Sequence, residues 1–173
     1  MRKPVTQAQV SAVQFYDRVL GASRLTLVGE VGYNHVSGIT DDVNELRFGR
    51  DPVYGIGQLG TPGVCGALNS AKPDECNDKG FFTSSSWGYR ARASLDYSNL
   101  IAGINVTPSV AWSHDVDGYG PNFNEGSKAV SIGLNADYQN IYNASLSYTD
   151  FFGGDYNTVV DRDFVALSFG VNF

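Results

Sequence analysis

The chain has 173 residues, a net charge of −6 and a pI near 4.7, which suits one domain and disfavours nucleic acid as a partner. Charged residues make up 17%, below the usual ~25%, while aromatics reach 13% with 10 Tyr and 2 Trp, a mixture suited to a membrane–water interface. No run approaches the ~18 apolar residues of a membrane helix. A transmembrane barrel escapes that test, because its apolar residues are diluted to alternate positions.

Residues 7–20 read as a first strand, with Ala8, Val10 and Ala12 on one parity and a register that blurs at Phe15-Tyr16, as at a bulge. Leu20-Gly21-Ala22-Ser23 is a turn. A second strand places Leu25, Leu27, Gly29, Val31 and Tyr33 on one face, and Thr26, Val28, Glu30, Gly32 and Asn34 on the other. Residues 37–85, rich in Gly, Pro, Asp and Asn, form a long loop with a short hairpin near Leu46-Arg47-Phe48. The loop holds both cysteines, Cys65 and Cys76, which are expected to form a disulfide and so imply an oxidising compartment.

The third strand sets Trp87, Tyr89, Ala91, Ala93, Leu95 and Tyr97 against Gly88, Arg90, Arg92, Ser94 and Asp96. Ser98-Asn99 reads as a turn. The fourth strand sets Ile104, Val106, Pro108, Val110 and Trp112 against Asn105, Thr107, Ser109, Ala111 and Ser113. Pro108 is awkward for a central strand, since it lacks a ladder donor. A polar loop covers 115–126. The fifth strand alternates Val130, Ile132, Leu134, Ala136 and Tyr138 with Ser131, Gly133, Asn135 and Asp137. After a Gln139-Asn140 turn, the sixth alternates Tyr142, Ala144, Leu146 and Tyr148 with polar residues. Residues 153–160 are a third loop. The last strand carries Val165, Leu167, Phe169, Val171 and Phe173 on one parity and ends the chain on an aromatic, like the assembly signal of bacterial outer-membrane barrels.

Short turns alternate with long loops, as periplasmic turns and outside loops do in transmembrane barrels. Aromatics gather at strand ends: Tyr97, Tyr138, Tyr142 and Phe173 toward the short turns, and Tyr33, Trp87, Tyr89, Trp112 and Tyr148 toward the long loops. These predict two aromatic girdles around an apolar band. Lys128 and Asp150 share the apolar parity, but at strand ends where the cost in lipid is small. The expected fold is therefore all-β, an antiparallel up-and-down transmembrane β-barrel in a single unit over 1–173, with 37–85 as a long extracellular loop. Glu30, Arg90, Arg92, Asp96, Asn105, Asn135 and Asp137 are the expected lumen-lining residues.

The strand count of about seven is odd, whereas single-chain bacterial barrels have even counts. An open sheet would expose ~10 backbone groups per edge to lipid, at several kcal/mol each. The chain is thus expected to be part of a larger barrel, or to close with a second copy. Met1-Arg2-Lys3 is basic but no apolar run follows, so the expectation is a mature form or a fragment.

The segments Leu25-Thr26-Leu27-Val28-Gly29-Glu30-Val31-Gly32, Leu46-Arg47-Phe48-Gly49-Arg50-Asp51, Trp87-Gly88-Tyr89-Arg90 and Leu167-Ser168-Phe169-Gly170-Val171-Asn172-Phe173 carry a family likeness. They resemble the carboxyl-terminal region of proteobacterial outer-membrane proteins catalogued as domain of unknown function 1302, common in pseudomonads. The resemblance implies a bacterial outer-membrane location. It also implies passage or export of an organic compound, hydrophobic ones included, with a periplasmic protein partner. It supplies no catalytic motif.

The residues offer little catalytic chemistry. His35 and His114 fall near strand ends on the apolar parity, and Ser113 points away from His114, so no enzyme is expected. Asp115-Val116-Asp117-Gly118-Tyr119-Gly120 lacks the third acidic position and the closing Glu of a calcium loop, so no metal and no cofactor are expected. The inward charges have two readings, a lumen that screens solutes or a filled interior held by ion pairs. The leading expectation is a channel or transport component. A filled structural or adhesive barrel acting through its loops is the alternative, and a soluble β-domain a third. Outer-membrane lipid and lipopolysaccharide are the expected surroundings.

Overall fold

The computed structural model describes residues 2–40, 45–61 and 63–173. Seven strands form one antiparallel sheet in chain order: β1 (Val5–Asp17), β2 (Arg24–Val36), β3 (Ser85–Ile101), β4 (Ile104–Asp117), β5 (Lys128–Tyr138), β6 (Tyr142–Phe152) and β7 (Phe164–Val171). The sheet is open: β1 and β7 do not pair with each other. Among the described residues helix is confined to α1 (Val64–Leu68) and 3-10 turns at Pro52–Tyr54 and Pro73–Glu75.

The alternation of the sequence becomes two faces because every ladder keeps like parity opposite like. Tyr33 faces Trp87, Leu27 faces Ala93, Val110 faces Ile132, Leu134 faces Leu146 and Leu146 faces Leu167. On the other face Glu30 lies opposite Arg90, Asn105 opposite Asp137 and Ser145 opposite Ser168. A slip of one residue in any ladder would mix these sets. Among the described residues nothing covers the apolar face. Leu27, Ile132, Leu146 and Leu167 are 37%, 57%, 49% and 77% exposed, so this face is not the core of a sandwich.

Aromatics mark both ends of that face. Trp112 donates its Nε1–H to the Tyr89 hydroxyl at 3.2 Å, and Tyr89 meets the His114 ring edge-on at 5.5 Å. At the short-turn end Tyr138 stacks with Tyr142 at 6.4 Å.

Three local expectations are corrected. β1 has no bulge at Phe15-Tyr16: it pairs with β2 in unbroken register from Val5 to Asp17. The blur is one of composition, since Gln14 lies on the apolar face opposite Leu27 while Val13 and Phe15 lie on the polar one. The β3–β4 turn is not at Ser98-Asn99 but at Ala102-Gly103, both at positive φ as a two-residue hairpin turn requires. Asn99, also at positive φ, sits instead in a ladder irregularity between Tyr97 and Ile101. Residues 46–50 form no hairpin; the Phe48 carbonyl accepts the Phe82 N–H at 2.8 Å within irregular chain. The Gln139-Asn140 turn is where the sequence puts it, with both residues at positive φ.

Pro108 sits in central strand β4 after all. Its register partner Leu134 is on β5, while the β3–β4 ladder breaks between the pairs Ser94–Ser109 and Tyr97–Val106. The missing donor thus falls on the β3 side. There Thr107 supplies a side-chain bond instead, its Oγ1–H donating to Asp96 Oδ1 at 3.1 Å.

Candidate functional site: the polar face and its latched loop

The seven predicted lumen residues share one face, but they divide into two groups. Glu30, Arg90 and Arg92 lie together on the central strands β2 and β3. Asp96, Asn105 and Asp137 lie toward the short turns and serve them. Asn105 Oδ1 accepts the Asn99 N–H at 3.0 Å, and Asp137 Oδ1 accepts the Asn140 N–H at 3.2 Å. Asn135 stands between, exposed, opposite Thr107 and Ser145.

At the long-loop end, an element the sequence reading overlooked lies on this face. The β4–β5 connection folds back so that Phe123, only 8% exposed, rests on Gly32 and Gly88. These glycines are direct partners across the β2–β3 ladder. A Cβ on Gly32 would come within 2.8 Å of Phe123 Cζ, and one on Gly88 within 2.9 Å of Phe123 Cδ1. Two missing side chains thus make a socket for one ring. The next pair, Asn34 opposite Ser86, is buried beneath the same loop at 1% exposure each. Asn122 Nδ2 reaches Asn34 Oδ1 at 3.4 Å. Asn34 Nδ2 and Ser86 Oγ have no hydrogen-bond partner among the described residues.

Asp115 ties the loop to the charges. Its Oδ2 accepts the Asn124 N–H at 2.9 Å and its Oδ1 accepts from Arg90 at 3.2 Å. The Arg90 guanidinium lies 5.7 Å from the Phe123 ring centroid. Both Asp115 oxygens are therefore engaged within the protein. Although Glu30 is the register partner of Arg90, the ion pair forms with Asp115. Arg92 differs: its register partners are Val28 and Ala111, and among the described residues it pairs with no carboxylate. Around it lies a hollow of about 300 Å³ lined by Val28, Glu30, Arg90, Ala111, Ser113 and Ala129.

Above the sheet the three long loops join. Cys65 and Cys76 form the expected disulfide, with Cα atoms 5.7 Å apart. Arg50, its side chain 1% exposed, donates to the carbonyls of Tyr54 at 2.7 Å, Asn77 at 2.9 Å and Lys79 at 2.9 Å, and to that of Glu75. Its guanidinium also lies 4.8 Å from the Tyr156 ring and 5.2 Å from the Phe81 ring. Arg47 stacks on Phe81 at 4.1 Å and pairs with Asp78 at 2.6 Å. Tyr156, from the β6–β7 loop, donates to Asn77 Oδ1 at 2.7 Å and touches Tyr119 of the β4–β5 loop edge-on at 5.9 Å. The latch on the polar face is thus continuous with the cap.

Burial holds the Tyr119 proton most strongly, and Glu125, Asp155 and Tyr156 add to it against Arg50, so its pKa is pushed up to about 12. Tyr54 is raised in the same direction, by burial first and then by Glu75. A folded pKa above the unfolded one means that stability is complete below the ordinary tyrosine pKa of ~10 and is lost as pH climbs from there through the folded value. The cap should loosen between pH ~10 and the Tyr119 value of about 12. Spectrophotometric tyrosine titration should show a late class that Tyr119→Phe removes; titration of all tyrosines together near the free value would contradict this burial.

The family model described as "Protein of unknown function (DUF1302)" matches residues 1–173, the whole chain. No curated protein and no solved structure matches.

Proposed function

The chain belongs to the DUF1302 family, and on that premise we propose that it forms part of a bacterial outer-membrane β-barrel acting as a channel or transport component for an organic solute. The observation that carries this reading is the division of one sheet. One face is apolar, bare and aromatic at both ends; the other is polar and holds a loop latched across it. Lipid solvates the first without cost, and the second is the side a barrel encloses. A loop lying on the enclosed side narrows the path and screens what passes.

Among the described residues the outer edges of β1 and β7 have no partner strand. Each presents unpaired backbone groups that hydrocarbon cannot solvate. The further strands of a larger barrel, or a second copy, complete the ladder in this reading. Lipopolysaccharide surrounds the loop end, and a periplasmic protein meets the short turns.

The test is reconstitution in planar bilayers. Steps of conductance are expected, and replacing Arg90 and Arg92 together with Ala should move the reversal potential toward cation selectivity. Unchanged selectivity in a conducting protein would remove these residues from the path.

The tight cap, with its disulfide and caged Arg50, favours a second reading: a filled structural or adhesive barrel that works through its loops. Loop-dependent binding to a surface without any conductance would select it.

A further inference from the structure

We propose that the hollow beside Arg92 is a binding site for a small amphipathic organic monoanion, its carboxylate on the guanidinium and its hydrocarbon body over Val28, Ala111 and Ala129. The site lies on the face that the transport reading makes the solute path, and its role in passage rests on that reading. Three observations select this ligand class. First, Arg92 is a cation without a carboxylate among the described residues, set between Val28 and Ala111 in its two ladders. A guanidinium above an apolar floor is matched by one negative charge carried on an apolar body. Second, the nearby Arg90 has its charge answered by Asp115, which leaves Arg92 the less neutralised of the two cations lining the hollow. Third, Glu30 lines the same hollow and repels a second negative charge, which favours monoanions over dianions. Ser113, on the same wall, offers a hydroxyl to the second carboxylate oxygen. The volume of about 300 Å³ admits a phenylalkanoate rather than a polymer.

The experiment is equilibrium dialysis of the protein in a non-ionic detergent with phenylbutyrate, its neutral amide and the dianion phenylsuccinate. Phenylbutyrate should bind saturably and about tenfold or more tighter than the amide, as a charge-assisted hydrogen bond implies. Phenylsuccinate should bind more weakly than phenylbutyrate. Arg92→Gln should abolish the preference for the acid over the amide, and Arg92→Lys should keep part of it. Ala111→Phe, which fills the floor, should weaken acid and amide together. Unchanged mobility on unheated gels shows that the variants remain folded. The site is overturned by acid and amide binding equally to the wild type, by unaltered acid binding in Arg92→Gln, or by no saturable binding at all. Wild-type conductance in bilayers separates the two claims. Conduction without a preference for the acid removes the site and leaves the channel. A preference for the acid without conduction keeps the site and removes the channel.

Discussion

Arg50→Ala should detach the cap and leave the sheet standing. The guanidinium is 1% exposed and donates to four carbonyls spread from Tyr54 to Lys79. Its removal strands those acceptors inside the cap, at ~1–3 kcal/mol for each that water cannot reach. It also takes away the cation beneath the Tyr156 ring, through which the β6–β7 loop is joined to the rest. The summed local loss is on the order of several kcal/mol, more than a surface cap of one short helix and two 3-10 turns can absorb. Arg50→Lys should rescue little, because an ammonium has three donors and no planar fork. Limited proteolysis should then cut within residues 45–82 while the strands resist. A cap equally resistant in wild type and Arg50→Ala would show that the disulfide and Arg47 suffice.

Gly32→Val should lift Phe123 out of its socket. Gly32 is the better test of the two glycines, because the three nearest atoms to its added Cβ all belong to the Phe123 ring. At Gly88 the same atom would also strike the His114 carbonyl at 2.7 Å and so disturb the ladder itself. Overpacking of this kind costs ~1–3 kcal/mol, enough to shift a loop equilibrium about 5- to 150-fold. The closed loop already buries Asn34 Nδ2 and Ser86 Oγ without partners among the described residues, so opening returns both to water and offsets part of the lost contact. In bilayers the expected result is a larger conductance step, reproduced by Phe123→Ala. A fall or no change in both variants would place the loop outside the path.

The latch also explains why this region was hard to read in the chain. Gly32 and Gly88 look like ordinary small residues on the polar parity of two strands. Their meaning depends on facing each other, and a residue 35 positions after Gly88 must arrive to fill the gap. The available signal was a single Phe in an otherwise polar loop. Arg47 and Arg50 stand in the segment that carries the family likeness, yet their work inside the cap is invisible without the carbonyls gathered around them. The Ser98-Asn99 misreading has a similar origin. Asn is the better turn former by propensity, but the ladder runs on to Ile101 paired with Ile104, leaving Ala102-Gly103 to turn.

Period-two alternation was enough, by itself, to specify seven strands, their order along the chain and the two faces; the expected cysteine pair came separately, from two Cys close together in one loop. The strands and their faces follow from local geometry: a strand shows alternate residues to opposite sides whatever its neighbours do. The open ladder ends, the Phe123 latch, the pairing of Arg90 with Asp115 rather than Glu30, and the isolation of Arg92 were decided only in three dimensions. Each depends on which distant residue comes within a few ångströms. That is set by register, by a bulge after Asp115 and by loop closure, none of which leaves a period in the sequence.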